Sequence, residues 1–335
     1  MSSTAFFPGP VLVADVGGTN CRLSLVPRHG AAPEPLARIA TGAHPTAEAA
    51  FTSVLAGMEE KPRSAVLAVA GPLDGRGAQL TNAGWAFDGP VLGHVLGLEQ
   101  GLLVNDFEAL AASLAVLGPT DVDRLVEGRP EANGTKLVLG PGTGFGAAAL
   151  VIRGDRSVIV PTEAGHIGIG PQGTAEEKLW PLLAEGTARV TIEDLLSGSG
   201  LVRLHRAIRR QGGIDEPDVG AADISLMARD GNPAAVMASV CFWRLLARIA
   251  GDLTLAFKAT GGVAIAGGIA PHLLPLADRA AIASVFADKA PVQDLAARFS
   301  LSVVTIDDAA QRGLAAIAAD PARFGLDDPA RLWFA

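Results

Sequence analysis

Cysteine is nearly missing from this chain: only Cys21 and Cys241 occur in 335 residues. Two thiols cannot build a disulfide framework or a cysteine-rich zinc site, so the chain reads as a cytoplasmic protein. Positive charge is short as well, with 27 Lys and Arg against 35 Asp and Glu and a formal net charge of -8. Binding to a nucleic-acid backbone relies on clustered Lys and Arg, so that partner is not expected and small polar substrates fit better. The start, MSSTAFFPGP, has neither a basic segment nor a long apolar core, and no signal peptide or anchor is expected. The uncharged run from Ala259 to Ala277 is broken by Gly261, Gly262, Gly267, Gly268, Pro271 and Pro275. That punctuation belongs to strand, turn and helix rather than to a membrane span. What is present is an ordinary globular balance, 49% hydrophobic and 19% charged, in a chain long enough for two domains or one large one.

Hydrophobic patterning orders the elements. Val11 to Ala14 and Cys21 to Val26 read as strands around a glycine turn, and SAVLAVAGPLDG adds a third strand ending at Gly71-Pro72. Leu102 to Val104 is a short buried strand entering a helix on which Phe107, Leu110, Ala111, Leu114 and Leu117 share one face. KLVLGPGTGFGAAALVIRGDRSVIV repeats the order strand, glycine-rich turn, strand, with a hairpin at Gly154-Asp155. From Thr191 the chain is mainly helical; VMASVCFWRLLARIAGDLTLAF is a long apolar helix, and Val263 to Ala266 return to a strand. Two such units predict a duplicated α/β architecture with a cleft between its halves.

Three glycine-rich turns stand out: Asp15 to Asn20, Gly140 to Gly146, and Ala266 to Ile269. Glycine allows positive φ and close backbone approach, so each turn either joins two strands or gathers N–H groups around a phosphate. Gly142, Gly144 and Ala147, with Glu163 downstream, satisfy a loose dinucleotide pattern, but that pattern must open a helix. AAALVI reaches the Arg153-Gly154-Asp155 turn too soon for one. No Gly-Lys-Ser or Gly-Lys-Thr follows any of the turns, which sets the P-loop class aside. Phosphate held between hairpin turns remains, with Asp15 available to hold a hydrated Mg²⁺.

Other polar residues allow two readings each. Asn105 and Glu108 have the spacing of a capping box, while Asp106, at the start of the same helix, could instead be a general base. Glu163 and His166 lie three apart in a glycine-rich loop, either solvated or binding hydroxyl groups. Glu193 falls in a first helical turn, where a favourable helix-end charge is the simple explanation. LVRLHRAIRR carries Arg203, Arg206, Arg209 and Arg210 on what reads as a solvated face.

Taken in order, ADVGGTNCRLSLV, AVAGPLDG, LTNAGWAF, VNDFEALAASL, GPGTGFGAAAL, PTEAGHIGIGP, LLSGSGLVRLHRAI and GGVAIAGGIAPHLL resemble the motifs of bacterial glucokinases, from about Val11 to Gly268. That family belongs to the sugar kinase, Hsp70 and actin superfamily. The resemblance implies an α/β, ribonuclease H-like (actin-like ATPase) fold of two domains with an interdomain cleft. A small domain would span 1-116 plus 308-335, and a large one 117-307. It also implies ATP-dependent phosphorylation of glucose at the 6-hydroxyl, with Mg²⁺, in a cytoplasmic homodimer. Asp106 then falls on the catalytic base, and Asn105, Glu163, His166 and Glu193 on glucose-binding positions, with Asn82 near the sugar. Asp15 matches the metal and phosphate motif together with Gly17, Gly18, Thr19 and Asn20. Gly142, Thr143 and Gly144 match the second phosphate turn, and Gly267 and Gly268 the adenosine motif. The cysteine cluster of related zinc-bearing sugar kinases is missing, which assigns His166 to sugar rather than metal. DDAAQRG, Asp307 to Gly313, departs from the family's C-terminal glycine-rich segment, and no site is carried from it. Regulators of the broader group begin with a helix-turn-helix module, whereas ten residues precede the first strand here, so a DNA-binding role is not expected.

Overall fold

The computed structural model describes residues 7–80, 84–214 and 216–334. They form a mixed α/β protein of two compact units. The first unit comprises Met1–Gly118, Leu150–Val160 and Ile306–Ala335; the second comprises Pro119–Ala149 and Pro161–Thr305.

In the first unit a six-stranded sheet runs in the order Leu332–Phe334, Gln100–Asn105, Ser64–Val69, Val11–Val16, Asn20–Val26, Glu34–Ala40. The strands Val11–Val16, Ser64–Val69 and Gln100–Asn105 are parallel, and the others are antiparallel to their neighbours. All six residues of SAVLAV are buried, as a strand covered on both faces requires. The strand before Asp106 is longer than its apolar run predicts because backbone pairing with Ser64–Val69 extends it to Asn105. The helix that follows, Asp106–Ser113, buries Glu108, Ala109, Ala111, Ala112 and Ser113, while Phe107 and Leu110 are half-buried and Leu117 lies beyond its end. Ala111 and Leu114 of the predicted face are buried, so the face is shifted only in part, toward Glu108, Ala109 and Ala112. Helix Ala309–Ala319 packs against it so closely that a Cβ on Gly313 would overlap the Ala109 carbonyl, and only small residues fit along that seam.

A second six-stranded sheet runs in the order Arg156–Thr162, Phe145–Arg153, Lys136–Pro141, Gly262–Ile265, Leu301–Val304, Val122–Val126. Phe145–Arg153 is a strand, in keeping with rejection of the dinucleotide motif. The long apolar helix Pro233–Phe257 is capped by Asn232 and, among the described residues, is the helix with length and composition sufficient to cross a membrane. It contacts helices Gly198–Gln211, Ala221–Arg229 and Arg279–Ala287, and 67% of its most apolar window is buried. The 259–277 run resolves into a strand, a glycine turn and short helices. The arginines of Gly198–Gln211 form a solvated face only in part: Arg210 is exposed and Arg203 and Arg206 half-buried, and all four are ion-paired. Arg209 is buried on Asp218 at 3.0 Å, Arg206 meets Asp218 at 2.8 Å, Arg203 meets Asp194 at 3.2 Å and Arg210 meets Glu185 at 2.7 Å. Acidic residues on the segments before and after this helix, Glu185, Asp194 and Asp218, supply the partners.

Candidate active site

Asp15 sits at the penultimate position of its strand and faces Arg22 across the hairpin, a register set by the intervening glycine turn. The Arg22 Nη1 to Asp15 Oδ2 distance is 3.5 Å, and the Asp15 side chain is 21% exposed. Burial pushes the Asp15 carboxyl above the ordinary carboxylate range, and Arg22 opposes that shift. Arg22 was not singled out from the sequence, although a tight hairpin around Gly17-Gly18 makes the cross-strand pairing legible.

Inside the turn the Gly17 N–H donates to Asn20 O at 2.9 Å, so it closes the hairpin and is not offered to a phosphate. Gly18 and Thr19 stand at the tip. Thr41 anchors the turn from outside, donating through its hydroxyl to Gly17 O at 2.9 Å and through its N–H to Thr19 O at 3.0 Å. Nothing local in the sequence announces that contact.

Asn105 and Glu108 do form the capping box: Asn105 Oδ1 accepts from Phe107 N–H at 2.9 Å, and Glu108 Oε2 accepts from Asn105 N–H at 2.8 Å. This occupies the Asn105 oxygen; its amide NH₂, which also donates toward Asp106, is the group that can serve a sugar. Asp106 begins the helix, one position past a strand lying two places from that of Asp15 in the sheet. Burial, and then the negative charge of Asp15, push the Asp106 carboxyl up to about 7, against the pull of the Phe107 and Asp106 N–H groups and the Asn105 side chain. A carboxylate with that affinity for protons can accept one at neutral pH.

In the second unit, the turns Gly140–Gly146 and Ala266–Ile269 are neighbours because their strands pair in parallel. Ala266 N–H donates to Leu139 O at 2.8 Å, and a Cβ on Gly140 would overlap Ala266 O. Of the candidate nucleotide glycines here, Gly267 alone needs the left-handed region, at φ 92°. Gly142 spends its N–H on Gly144 O at 2.8 Å, yet a Cβ there, as on Gly268, would meet nothing within 4 Å. These two positions leave room for a ligand. Gly144 serves a different purpose, because a Cβ on it would overlap the Glu193 carboxylate. Glu193 Oε2 accepts from Phe145 N–H at 2.8 Å, so the residue predicted to bind sugar also holds the second phosphate turn.

The short helix Ile192–Leu195 that carries Glu193 has its own capping box, formed by Thr191 and Asp194, and Arg203 pairs with that aspartate. Gly168 bridges to Thr191, Ile192 N–H donates to Ile167 O at 3.0 Å, and Arg189 Nη2 donates to His166 O at 2.9 Å. These bonds tie the Glu163–His166 loop to the segment bearing Glu193. Glu163 and His166 are 90% and 65% exposed with Oε2 and Nε2 at 3.7 Å, so both offer polar atoms to solvent. Asn82 lies outside the described residues.

A sequence profile of the glucokinase family matches residues 12–321. The chain belongs to the glucokinase family. Glucokinase of Sinorhizobium fredii is 38% identical over 329 residues, covering 98% of this chain and 97% of its own. The crystal structure of glucokinase from an Antarctic psychrotroph superposes with a TM-score of 0.81 at 30% identity, covering 92% of this chain and 98% of that one. Glucokinase from Balamuthia mandrillaris, solved in complex with glucose, shares the fold at a TM-score of 0.79 and 21% identity, with 95% of each chain covered. Family membership bears out the expected enzyme class, a glucokinase that uses ATP.

Proposed function

We propose that this chain transfers the γ-phosphoryl group of ATP to the 6-hydroxyl of D-glucose with Asp106 as the general base. The observation that carries the reading is a half-buried carboxyl at the start of a helix, pushed up to about 7 by desolvation and the charge of Asp15, in a chain of the glucokinase family. The 6-hydroxyl oxygen attacks the γ-phosphorus in line, and its proton passes to Asp106. The bond between the γ-phosphorus and the bridging oxygen breaks, which yields ADP and glucose 6-phosphate. Asn105, Glu163, His166 and Glu193, with Asn82, bind the sugar hydroxyls. Gly18, Thr19, Gly142 and Thr143 face the phosphates, and Gly267 and Gly268 face the adenosine.

Among the described residues no cluster of three or more His, Cys, Asp or Glu is arranged to hold a metal. Mg²⁺ needs less, commonly one or two carboxylates with water and substrate phosphates, and the partly exposed Asp15 fits that demand. The ion would neutralise charge on the phosphoryl oxygens. In the actin-like reading, a small domain of 1-116 plus 308-335 and a large domain of 117-307 close over substrate and exclude water. A cytoplasmic homodimer completes the proposal.

A coupled assay of ADP formation with Mg-ATP across a panel of hexoses tests the reading. Glucose should give the highest kcat/KM, and Asp106→Ala should lower turnover by about two orders of magnitude or more while glucose still binds. Near-normal turnover in that variant removes Asp106 as base, and no hexose-dependent ADP removes the kinase.

A further inference from the structure

We propose that Arg331 is a positioning residue for the phosphoryl transfer: acting through Glu108, it fixes the strand-to-helix turn that carries Asn105 and aims Asp106, and so governs turnover more than sugar affinity. The inference rests on Asp106 being the base.

Glu108 is 3% exposed, and its carboxylate is engaged on two sides. Oε2 accepts from the Asn105 N–H at 2.8 Å and from Arg331 Nη2 at 2.7 Å, and Oε1 accepts from Arg331 Nη1 at 2.9 Å. The same Nη2 donates to Leu103 O at 3.1 Å. One guanidinium therefore grips the strand on one side of Asp106 and the helix on the other. A planar two-toothed contact restricts rotation as well as distance, which a lysine or an apolar side chain at 331 could not do. Burying such a pair adds little net stability compared with apolar packing, so its clearest return here is orientation of the turn.

Arg331 is itself held firmly. Its N–H donates to Asp328 O at 3.0 Å, and the strand Leu332–Phe334 that follows it pairs antiparallel with Gln100–Asn105. Trp333, fully buried, lies over Gly89 and Gly101, where an added Cβ would overlap its indole. Arg331 also lies beyond the residues 12–321 matched by the family profile.

The test uses the full chain at a temperature below every variant's unfolding transition. Arg331→Met should lower kcat about ten-fold or more, with any rise in KM for glucose smaller than the fall in kcat although Asn105 rides on the same turn, as misplacement of a reacting group predicts. Trp333→Phe loosens the same strand without touching Glu108 and should lower Tm while keeping kcat within about two-fold. If Arg331→Met does not fold, Glu108→Gln takes its place, with the same expected loss of kcat. Retention of kcat within about two-fold in the Arg331 variant, or in Glu108→Gln where that stands in, overturns the proposal. So does an equal loss in Trp333→Phe, which would mark a merely structural strand. Asp106→Asn is measured alongside: substantial turnover there overturns the base assignment itself, whereas a dead Asp106→Asn with an active Arg331→Met rejects only the role of Arg331.

Discussion

A carboxyl group whose pKa lies near 7 is half ionised at neutral pH, and Asp106 reaches that value because burial and the charge of Asp15 outweigh the donors around it. The base must be ionised to act, so kcat/KM should rise with pH through a one-proton limb near 7 before ligands bind, and a pH profile measures this. Stability should move the other way. Between about 4, the unfolded value, and about 7 the native state holds a proton that the unfolded state has lost, so the protein loses stability as pH rises through that window. Asp106→Asn should accordingly be more stable than the parent at pH 8, with the gap closing toward pH 4, as urea unfolding would show. Glycine positions separate in the same way. Gly144→Ala drives a methyl group into the Glu193 carboxylate and should cost about 1–3 kcal/mol of stability with a raised KM for glucose. Gly142→Ala meets open space and should stay within about 0.5 kcal/mol, its effect falling on ATP affinity. The motif shows both glycines, but which of them has a side chain from a distant helix against it does not follow from spacing.

Among the elements, the helix Asp106–Ser113 is the instructive case. Its start is written locally, in an Asn and a Glu three apart, and the cap forms as that spacing predicts. Its buried face is legible only in part, in Ala111 and Leu114, because Ala309–Ala319, about two hundred residues on, packs on Ala109 through Gly313. Gly313→Ala should lower stability by about 1–3 kcal/mol despite alanine's higher helix propensity, since the Ala109 carbonyl occupies the space; thermal unfolding decides. The arginine helix carries the same lesson. Arg203 to Arg210 read as solvent-facing when only the helix is considered, whereas Asp194, Glu185 and Asp218 lie on segments that tertiary packing delivers to them.

For the whole molecule, two separate cores, one around Leu12, Phe51 and Trp333 and the other around Leu139, Phe242 and Phe286, belong to different units. If glucose engages residues of both, as proposed, it should raise the unfolding transitions of both units. At a hundred times Kd the gain is about 2.7 kcal/mol. A shift confined to one transition in calorimetry would place the sugar within a single unit.

Much of this protein follows from neighbours along the chain: the three glycine turns, the strands around them, the rejection of a dinucleotide helix and the cap at Asn105 depend on contacts a few residues apart. The assignment of a family also came from ordered motifs, since no single one of them is specific. Packing set the rest. Asp106 owes its affinity for protons to burial and to Asp15, on a strand brought near by the sheet, and Glu193 owes its second task to a turn almost fifty residues away. Arg331 meets Glu108 across 223 positions. Desolvation and charge depend on distance in space, and a linear pattern encodes such distances only where the chain turns back on itself within a few residues.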